Sequence, residues 1–236
     1  MPRLQSALQN RLLVSLPVDD YALIAAHLVQ VDLERGRLLY DPGDRIDTIY
    51  FPHDGVISLM TLMESGAAIE SATIGPEGAL GLSAAAAPRQ SLVRAIVQTP
   101  VRASRISVAQ LHEAWEKSPR IRDLVDRHAE ALFGHAIQSV ACNALHSVEA
   151  RFCRWLLTCH DRISSDTIAL TQEFLADMLG VQRTTVTAVA RALQDKGVIS
   201  YRRGVVDIID RPGLEALTCE CYGTIRRNYE RLLPGD

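Results

Sequence analysis

The spacing of apolar residues changes twice along the chain. Between residues 4 and 30 they recur at the helical period, which predicts short helices that bury Leu12, Leu13, Leu16, Leu23, Ile24 and Leu28. From residue 29 to residue 107 the period becomes two, and turn residues interrupt the pattern. From residue 108 to residue 161 the helical period returns. The chain is therefore expected to form helices, then a β domain, then helices.

The β region divides into seven short runs. They cover residues 29–33, 37–40, 48–51, 56–61, 68–74, 92–98 and 101–106. Turn signals such as Asp41-Pro42-Gly43-Asp44 separate them. Short strands at this spacing predict an antiparallel jelly roll or barrel.

A long helix is predicted over residues 118–146, because Ser118 can cap it and Pro119 suits its first turn. A heptad-like seam follows, made of Ile121, Leu124, Val125, His128, Leu132, His135, Ser139 and Cys142. Such a seam favours an interface between two copies of the chain, and an internal packing helix is the alternative. If the interface forms, His128 and His135 would meet their counterparts and make dimer geometry depend on pH.

Residues 171–197 are typical of two short helices joined by a tight turn. Thr171 can cap the first helix, and Gly180 can end it in a left-handed conformation. The second helix, about residues 183–196, leaves a polar face of Gln182, Arg183, Thr184, Thr187, Ala188 and Arg191. This is the helix-turn-helix pattern, whose second helix lies in the DNA major groove. An ordinary surface helical hairpin is the alternative.

Further elements surround these two helices. A helix is predicted over residues 147–160 and a last helix over residues 213–231. Between them, strands at 198–201 and 205–209 flank Arg202-Arg203-Gly204. A hairpin with two arginines at its tip suits a phosphate backbone, as the wing of a winged helix does.

Composition limits the function classes. The 236 residues are 47% hydrophobic and 22% charged, enough for one large or two modest globular domains. The net charge of −3 does not indicate nucleic-acid binding, but residues 171–204 carry five basic residues against three acidic ones. No apolar run reaches the roughly 18 to 20 residues of a membrane span, and the N-terminus lacks a signal-peptide pattern. We therefore expect a cytoplasmic protein without a membrane partner.

Reactive side chains are few. The cysteines are Cys142, Cys153, Cys159, Cys219 and Cys221, and an odd number without a signal peptide argues against a disulfide framework. Cys219 and Cys221 have no second pair or nearby His at zinc-site spacing, so buried or incidental thiols are predicted rather than a metal site. No nucleophile–base pairing, P-loop or paired carboxylates appear, so an enzyme is not expected.

A jelly roll, a long seam helix and a winged helix-turn-helix, in this order, resemble the Crp/Fnr family of bacterial transcription regulators. The most specific stretches are residues 170–199 and the N-terminal Tyr40-Asp41-Pro42-Gly43-Asp44, followed by Phe51-Pro52 and Gly55-Val56-Ile57-Ser58. The resemblance implies an α+β fold: an N-terminal antiparallel β jelly roll, a long dimerisation helix and a C-terminal winged helix-turn-helix. The corresponding domains are an effector or sensor domain (1–117), the dimerisation helix (118–146) and a DNA-binding domain (147–236).

The resemblance also implies which residues contact DNA. Family members read bases through an Arg, a Glu and a second Arg one turn later; Arg183 matches the first, while Thr184 and Ala188 replace the others and imply a different operator. The full candidate set is Thr171, Gln172, Gln182, Arg183, Thr184, Thr185, Thr187, Ala188, Arg191, Arg202 and Arg203. The implied partners are double-stranded DNA on a palindromic site, a second copy of the chain and RNA polymerase. The competing function is a ligand sensor whose winged domain contacts protein.

The jelly roll departs from the cyclic-nucleotide pattern of the family. Members that bind cyclic AMP carry a Gly-Glu-x-x-Gly turn followed by Arg-Ser. Here the candidate ligand-binding residues are Gly78, Ala79, Leu80, Gly81, Arg89 and Gln90. Ala79 therefore replaces the ribose-binding Glu, and Gln90 replaces the Ser. That loss removes a charge-assisted hydrogen bond and argues against cyclic AMP. Another anionic ligand, or no ligand, remains open.

Two cofactor classes of the family place different demands on the sequence. Iron-sulfur members need cysteines near the N-terminus, and Cys142 is the first cysteine here, so no iron-sulfur cluster is expected. Haem-binding members need an iron ligand from the jelly roll or the long helix, for which His53, His112, His128 and His135 are available. The effector is otherwise undetermined.

Overall fold

The structure, a computed structural model, describes residues 10–233. The first helices are α1 (Arg11–Val14) and α2 (Val18–Ala25). Residues 4–9, which belong to the helical stretch predicted from the sequence, lie outside the described range. Most of the predicted apolar set is buried, but Leu23 is half-exposed because α2 turns Ile24 toward the interior instead.

Seven strands form the β domain, and all seven were predicted with ends that differ by at most two residues. They are β1 (Val29–Leu33), β2 (Leu38–Tyr40), β3 (Thr48–Pro52), β4 (Ile57–Leu62), β5 (Ala68–Ile74), β6 (Arg94–Val97) and β7 (Val101–Ser107). One sheet has the antiparallel order β1-β7-β3 and the other β2-β6-β4-β5. Leu33, Ile57 and Val97 are buried among the strands. The antiparallel jelly roll is confirmed.

Three helices follow, α3 (Val108–Lys117), α4 (Pro119–Leu145) and α5 (Val148–His160). Ser118 caps α4, because its hydroxyl oxygen accepts a hydrogen bond from the backbone N–H of Ile121 at 3.1 Å. Pro119 occupies the first turn, where its missing N–H costs nothing. The predicted start of the long helix is therefore confirmed.

The C-terminal part is a winged helix-turn-helix. It contains β8 (Thr167–Ala169), α6 (Gln172–Leu179), α7 (Arg183–Asp195), β9 (Ile199–Arg202), β10 (Val205–Ile208), α8 (Arg211–Leu217) and α9 (Cys221–Leu232). The sheet order is β8-β10-β9. Strand β8 was not predicted from the sequence, because three residues are too few to show a period of two. The prediction of a single last helix was wrong, because the backbone at Thr218 is extended. This break separates α8, which packs on α5, from α9, which packs on α4.

The predicted seam of α4 is covered by its own chain. Seven of its residues are at most 5% exposed, namely Ile121, Leu124, Val125, His128, His135, Ser139 and Cys142, and Leu132 is half-buried against the jelly-roll core. The short 3-10 helix Leu82–Ala85, β5 and α9 pack on α4, and the His135 ring meets the Tyr229 ring edge to face. The prediction of a two-chain interface at these residues was wrong, since their neighbours are internal.

The winged domain also packs against the jelly roll. The indole N–H of Trp155 donates to Glu70 at 3.2 Å, and the Arg162 guanidinium donates to Thr73 at 2.6 Å and to Glu77. Burial raises the pKa of the Glu70 carboxyl, while its hydrogen bonds from Ser58 and Trp155 and the charges of Arg154 and Arg162 act in the opposite direction.

Within residues 10–233, no helix is long and apolar enough to span a bilayer.

Candidate nucleic-acid interface and ligand cavity

The turn between α6 and α7 depends on Gly180. Its backbone is left-handed, with φ 62° and ψ 41°, and it lies against the jelly roll. A Cβ atom at this position would come within 2.9 Å of Cδ1 of Ile69. Glycine therefore permits both the sharp turn and the close approach to β5.

The face of α7 predicted to be polar is open to solvent. Its buried side is formed by Val186, Ala190 and Leu193. The exposed residues are Gln182, Arg183, Thr184, Thr187, Ala188 and Arg191, whereas Thr185 is half-buried. The Thr187 hydroxyl donates to the backbone oxygen of Arg183 at 3.0 Å, so it offers only its oxygen to other donors.

Helix α6 precedes α7 in the chain, and its N-terminus is capped as predicted. The Thr171 hydroxyl oxygen accepts from the backbone N–H of Phe174 at 3.2 Å. Gln172 follows as the first helical residue and is half-buried. Backbone N–H groups at such a terminus favour an anion.

The wing is a two-residue hairpin. Strands β9 and β10 pair antiparallel, with Arg202 opposite Val205. Arg203 and Gly204 between them both have positive φ, 51° and 77°, which is the type I′ geometry that matches the twist of paired strands. Arg203 is the only residue other than glycine with positive φ among residues 10–233. An arginine at this position is strained by roughly 1 kcal/mol or more, whereas Asn adopts the conformation readily.

The substitution Arg203→Asn is expected to stabilise the fold and weaken DNA binding. The free energy of unfolding should rise by about 1 kcal/mol, because Asn-Gly is a preferred type I′ turn. If Arg203 contacts a phosphate, the slope of log K against log salt should become shallower by about 1 for each bound protomer, or about 2 for a dimer. Urea unfolding and fluorescence-anisotropy titrations at several salt concentrations measure the two effects. A more stable variant with an unchanged salt slope would remove Arg203 from the interface.

The arginines of this surface are free to meet an anion. Among the residues that the structure describes, Arg183, Arg191, Arg202 and Arg203 take part in no ion pair. Burial raises the pKa of Tyr201 on β9, and the positive charge of Arg183 opposes that rise. Four exposed guanidinium groups on one small domain supply positive charge that the overall charge of −3 conceals.

A cavity of about 470 Å³ lies between the jelly roll and α4. Of the candidate ligand residues, Ala79, Leu80, Gly81, Arg89 and Gln90 line it, and Gly78 does not. Its walls are largely apolar, with Tyr40, Ile46, Leu59, Leu132 and Phe133 among them. Arg89 is the one cationic side chain on this lining and no carboxylate is present there, within residues 10–233. The cavity thus suits an anionic group attached to an apolar body.

The loop at Gly78 and Ala79 is fastened to α4 by a histidine. The backbone N–H of Ala79 donates to Nε2 of His128 at 3.1 Å, so this amide does not face a ligand. Burial lowers the pKa of His128 to about 4, and burial, with Arg162 and Arg154 nearby, lowers the pKa of His135 well below its usual range. The His128 ring is therefore neutral between pH 5 and 8, and the surroundings of His135 favour its neutral form. The idea that they sense pH across a dimer seam was wrong.

The other histidines considered for haem have hydrogen bonds of their own. The His53 ring Nε2 lies 2.8 Å from the Ser104 hydroxyl, and His112 Nδ1 lies 2.7 Å from the backbone oxygen of Ala85. Burial lowers the pKa of His53. Neither His53 nor His112 lines the cavity.

The structure also brings together a group that sequence reasoning missed. Cys142, His146, Cys219 and Cys221 place one ligand atom each within 4.8 Å of one another. No His stands near Cys219 and Cys221 in the sequence, but the fold brings His146 to them, because α9 packs on α4. The overlooked signal was the spacing of Cys142 and His146, four residues apart and so on one face of a helix.

Comparisons with known proteins agree with this architecture. Residues 30–118 match the cyclic nucleotide-binding domain family, and residues 150–217 match the Crp-like helix-turn-helix domain family. The global nitrogen regulator of Nostoc sp. is 23% identical over 185 residues, covering 74% of this chain and 82% of that protein. FixK2 from Bradyrhizobium japonicum has a TM-score of 0.69 at 16% identity, covering 81% of this chain and 98% of its own. A transcriptional regulator of the CRP/FNR family from Thermus thermophilus has a TM-score of 0.64 at 22% identity, and the match covers 80% of this chain and 97% of that chain.

Proposed function

We propose, on the premise that this chain belongs to the Crp/Fnr family of bacterial transcription regulators, that it is a homodimer that binds a palindromic DNA operator. One observation carries the proposal: the N-terminal half of α7 presents Arg183 to solvent with no ion-pair partner among residues 10–233, beside a wing tipped by Arg202 and Arg203. A helix in this setting fits the major groove, and the wing fits the phosphate backbone. The protein would act in the cytoplasm, where the DNA is.

The second copy is proposed to pack on the outward face of α4. Four large apolar residues are exposed there, Phe133 at 67%, Ile137 at 53%, Val140 at 71% and Leu145 at 79%. Ala129, Phe133, Ala136 and Val140 recur at spacings of four, three and four, which is coiled-coil spacing. A two-fold axis along this face makes the contact self-complementary, as dimers with closed symmetry require. It also pairs two winged domains for two half-sites.

Base reading is proposed to rest mainly on Arg183. Its guanidinium can donate two hydrogen bonds to O6 and N7 of a guanine. Thr184 and Thr187 offer hydroxyl oxygens or methyl groups, and Ala188 a methyl group, where the best-known family operator is read by Glu and a second Arg. The operator should therefore differ from that one outside the contact made by Arg183. Thr171 and Gln172 are proposed to contact phosphate, and RNA polymerase is the proposed partner on promoter DNA.

Selection from random DNA duplexes tests this function. The purified protein is expected to enrich sequences with two-fold symmetry, whose half-site centres lie about 10 base pairs apart or a multiple of that. Each half-site should contain a guanine that Arg183 specifies. Salt-sensitive binding without any enriched motif would reduce the protein to a non-specific binder. No DNA binding at all would favour the sensor whose winged domain contacts protein.

We further propose that an anionic ligand in the jelly-roll cavity modulates DNA binding. The support is Arg89, the one cationic side chain on a largely apolar lining within residues 10–233, and His128, which connects the cavity loop to α4. A ligand that moves residues 78–81 would act on the helix proposed to join the two chains. Cyclic AMP does not suit the cavity, since the described residues place no carboxylate on the lining to accept its ribose hydroxyls.

Thermal-shift measurements test the ligand. If cyclic AMP bound with a dissociation constant of about 10 µM, a concentration of about 1 mM would raise the free energy of unfolding by about 2.7 kcal/mol. We expect no shift with cyclic AMP and a shift with an anionic compound of another class, for which cyclic dinucleotides and haem are the first probes. Arg89→Ala should abolish that shift. A shift with cyclic AMP that Arg89→Ala leaves unchanged would contradict the proposal.

A further inference from the structure

Three thiols and an imidazole meet where the long helix ends. Cys142 lies in the last turn of α4 and His146 is its C-cap, while Cys219 and Cys221 flank the start of α9. The three cysteines are at most 6% exposed, and the His146 side chain is 22% exposed. These four residues are called the thiol cluster below.

The spacing of the thiol cluster suits a tetrahedral ion. Sγ of Cys142 lies 3.6 Å from Sγ of Cys219, and Sγ of Cys221 lies 3.5 Å from Nδ1 of His146. Around Zn²⁺, with bonds of about 2.3 Å to sulfur and 2.0 to 2.1 Å to nitrogen, tetrahedral geometry places two sulfurs about 3.8 Å apart and a sulfur and a nitrogen about 3.6 Å apart. The cluster therefore has the dimensions of a coordination shell.

The groups around the thiol cluster orient its ligands. Nδ1 of His146 faces the thiols, while Nε2 lies 3.1 Å from the Glu220 carboxylate. A carboxylate on the outer nitrogen is the arrangement that fixes the tautomer of a metal-bound imidazole. The Gln138 amide also donates to Sγ of Cys221 at 3.0 Å, a contact that stabilises a thiolate.

Buried positive charge lies close to the thiol cluster. Arg151 and Arg154 are each 7% exposed, and both interact electrostatically with Cys142. In the part of the chain from residue 10 to residue 233, their Nε atoms have no hydrogen-bond partner. A doubly charged cation with three thiolates carries one net negative charge, which these guanidinium groups can offset. With neutral thiols, Arg151 is buried without that compensation, whereas Arg154 still has the Glu70 carboxyl nearby.

We propose that Cys142, His146, Cys219 and Cys221 bind one Zn²⁺ ion as a closed, four-coordinate structural site. Three thiolates and one imidazole select zinc over calcium or magnesium, whose preferred ligands are oxygens. Binding releases the thiol protons, and the imidazole supplies the lone pair of Nδ1. With four protein ligands, no position is left for water or a substrate.

The zinc ion would join two elements that are distant in sequence. Cys142 and His146 belong to the last turn of α4, immediately before α5 begins, and the other two ligands hold the break between α8 and α9. The ion thus fastens the turn by which the long helix enters the winged domain. This inference concerns the fold of the chain and does not depend on DNA binding.

Metal analysis of the full-length protein tests the proposal. Protein purified under reducing conditions without chelator should contain one zinc per chain, and the thermal midpoint should fall by about 5 to 10 °C after a strong chelator removes the ion. Refilling with Co²⁺ should give the intense visible bands of a tetrahedral ion together with thiolate-to-cobalt charge-transfer absorption. The wild-type chain suffices for these readings, so they hold even if a variant fails to fold.

Variants then locate the site. Cys219→Ser and His146→Gln should lower zinc content from one equivalent to a small fraction, whereas Cys159→Ala, which removes a buried thiol outside the cluster, should retain one equivalent. Three results would overturn the proposal: wild-type protein that takes up neither zinc nor Co²⁺, equal loss of zinc from Cys159→Ala, or fresh protein with a Cys142–Cys219 disulfide and no metal.

Discussion

Replacing Phe133 by Asp is expected to convert the dimer into monomers and to weaken operator binding by about 10²- to 10⁴-fold. The side chain is 67% exposed on the outward face of α4 and also borders the ligand cavity, so the substitution removes little packing within one chain, and the titrations are made without ligand. In a dimer it would bury a carboxylate from each chain in an apolar contact, which costs several kcal/mol. A monomer has one winged domain and loses the gain from binding two linked half-sites. Analytical ultracentrifugation and anisotropy titrations measure both effects.

Val18→Asp is the matched control, because Val18 is 69% exposed and lies on α2, away from the outward face of α4. That variant should remain dimeric and bind DNA normally. A cooperative thermal transition in each variant would show that neither substitution unfolds the chain, as is usual for surface positions. If Phe133→Asp stays dimeric, the second copy must pack elsewhere.

Replacing Arg183 by Ala is expected to relax base preference at one position of each half-site. A bidentate arginine–guanine contact contributes about 1 to 3 kcal/mol of discrimination. The variant should therefore lose a preference of about 5- to 150-fold for guanine over other bases at that position. Stability should hardly change, because Arg183 is exposed and forms no ion pair among the described residues. Selection on random duplexes reads the preference directly.

The control for Arg183 is Arg45→Ala, which removes an exposed arginine from the jelly roll, where it pairs with Asp47. It should leave the motif unchanged. A uniform loss of affinity in Arg183→Ala with the motif intact would instead place this arginine on a phosphate.

Local patterns in the sequence were enough to predict most of the fold. Strands of the jelly roll were predicted because inward and outward positions alternate, and helix boundaries because Ser118-Pro119, Ser147, Thr171 and Gly180 act locally. Strand β8 was too short to show a period. The break between α8 and α9 escaped notice because Thr218 and Cys219 are compatible with a helix, and packing of α9 on α4 decides otherwise.

The candidate site was predictable to different degrees. Exposure of Arg183, Arg191, Arg202 and Arg203 follows from the apolar stripe on the other side of α7 and from the turn at Arg203-Gly204. The ligand cavity was harder to predict from the sequence, because the contact of Ala79 with His128 joins residues 49 positions apart. No local pattern shows that this loop amide is already hydrogen-bonded.

The sequence by itself determined the order of elements, the winged helix-turn-helix and its arginine-bearing face, because these depend on spacing and caps within a few residues. Only the tertiary structure decided which side of α4 faces inward and that Cys142 and His146 meet Cys219 and Cys221. Both sides of α4 carry apolar residues at heptad spacing. Periodicity tells where side chains lie around a helix, but the neighbours that cover each side come from chain segments up to about a hundred residues away.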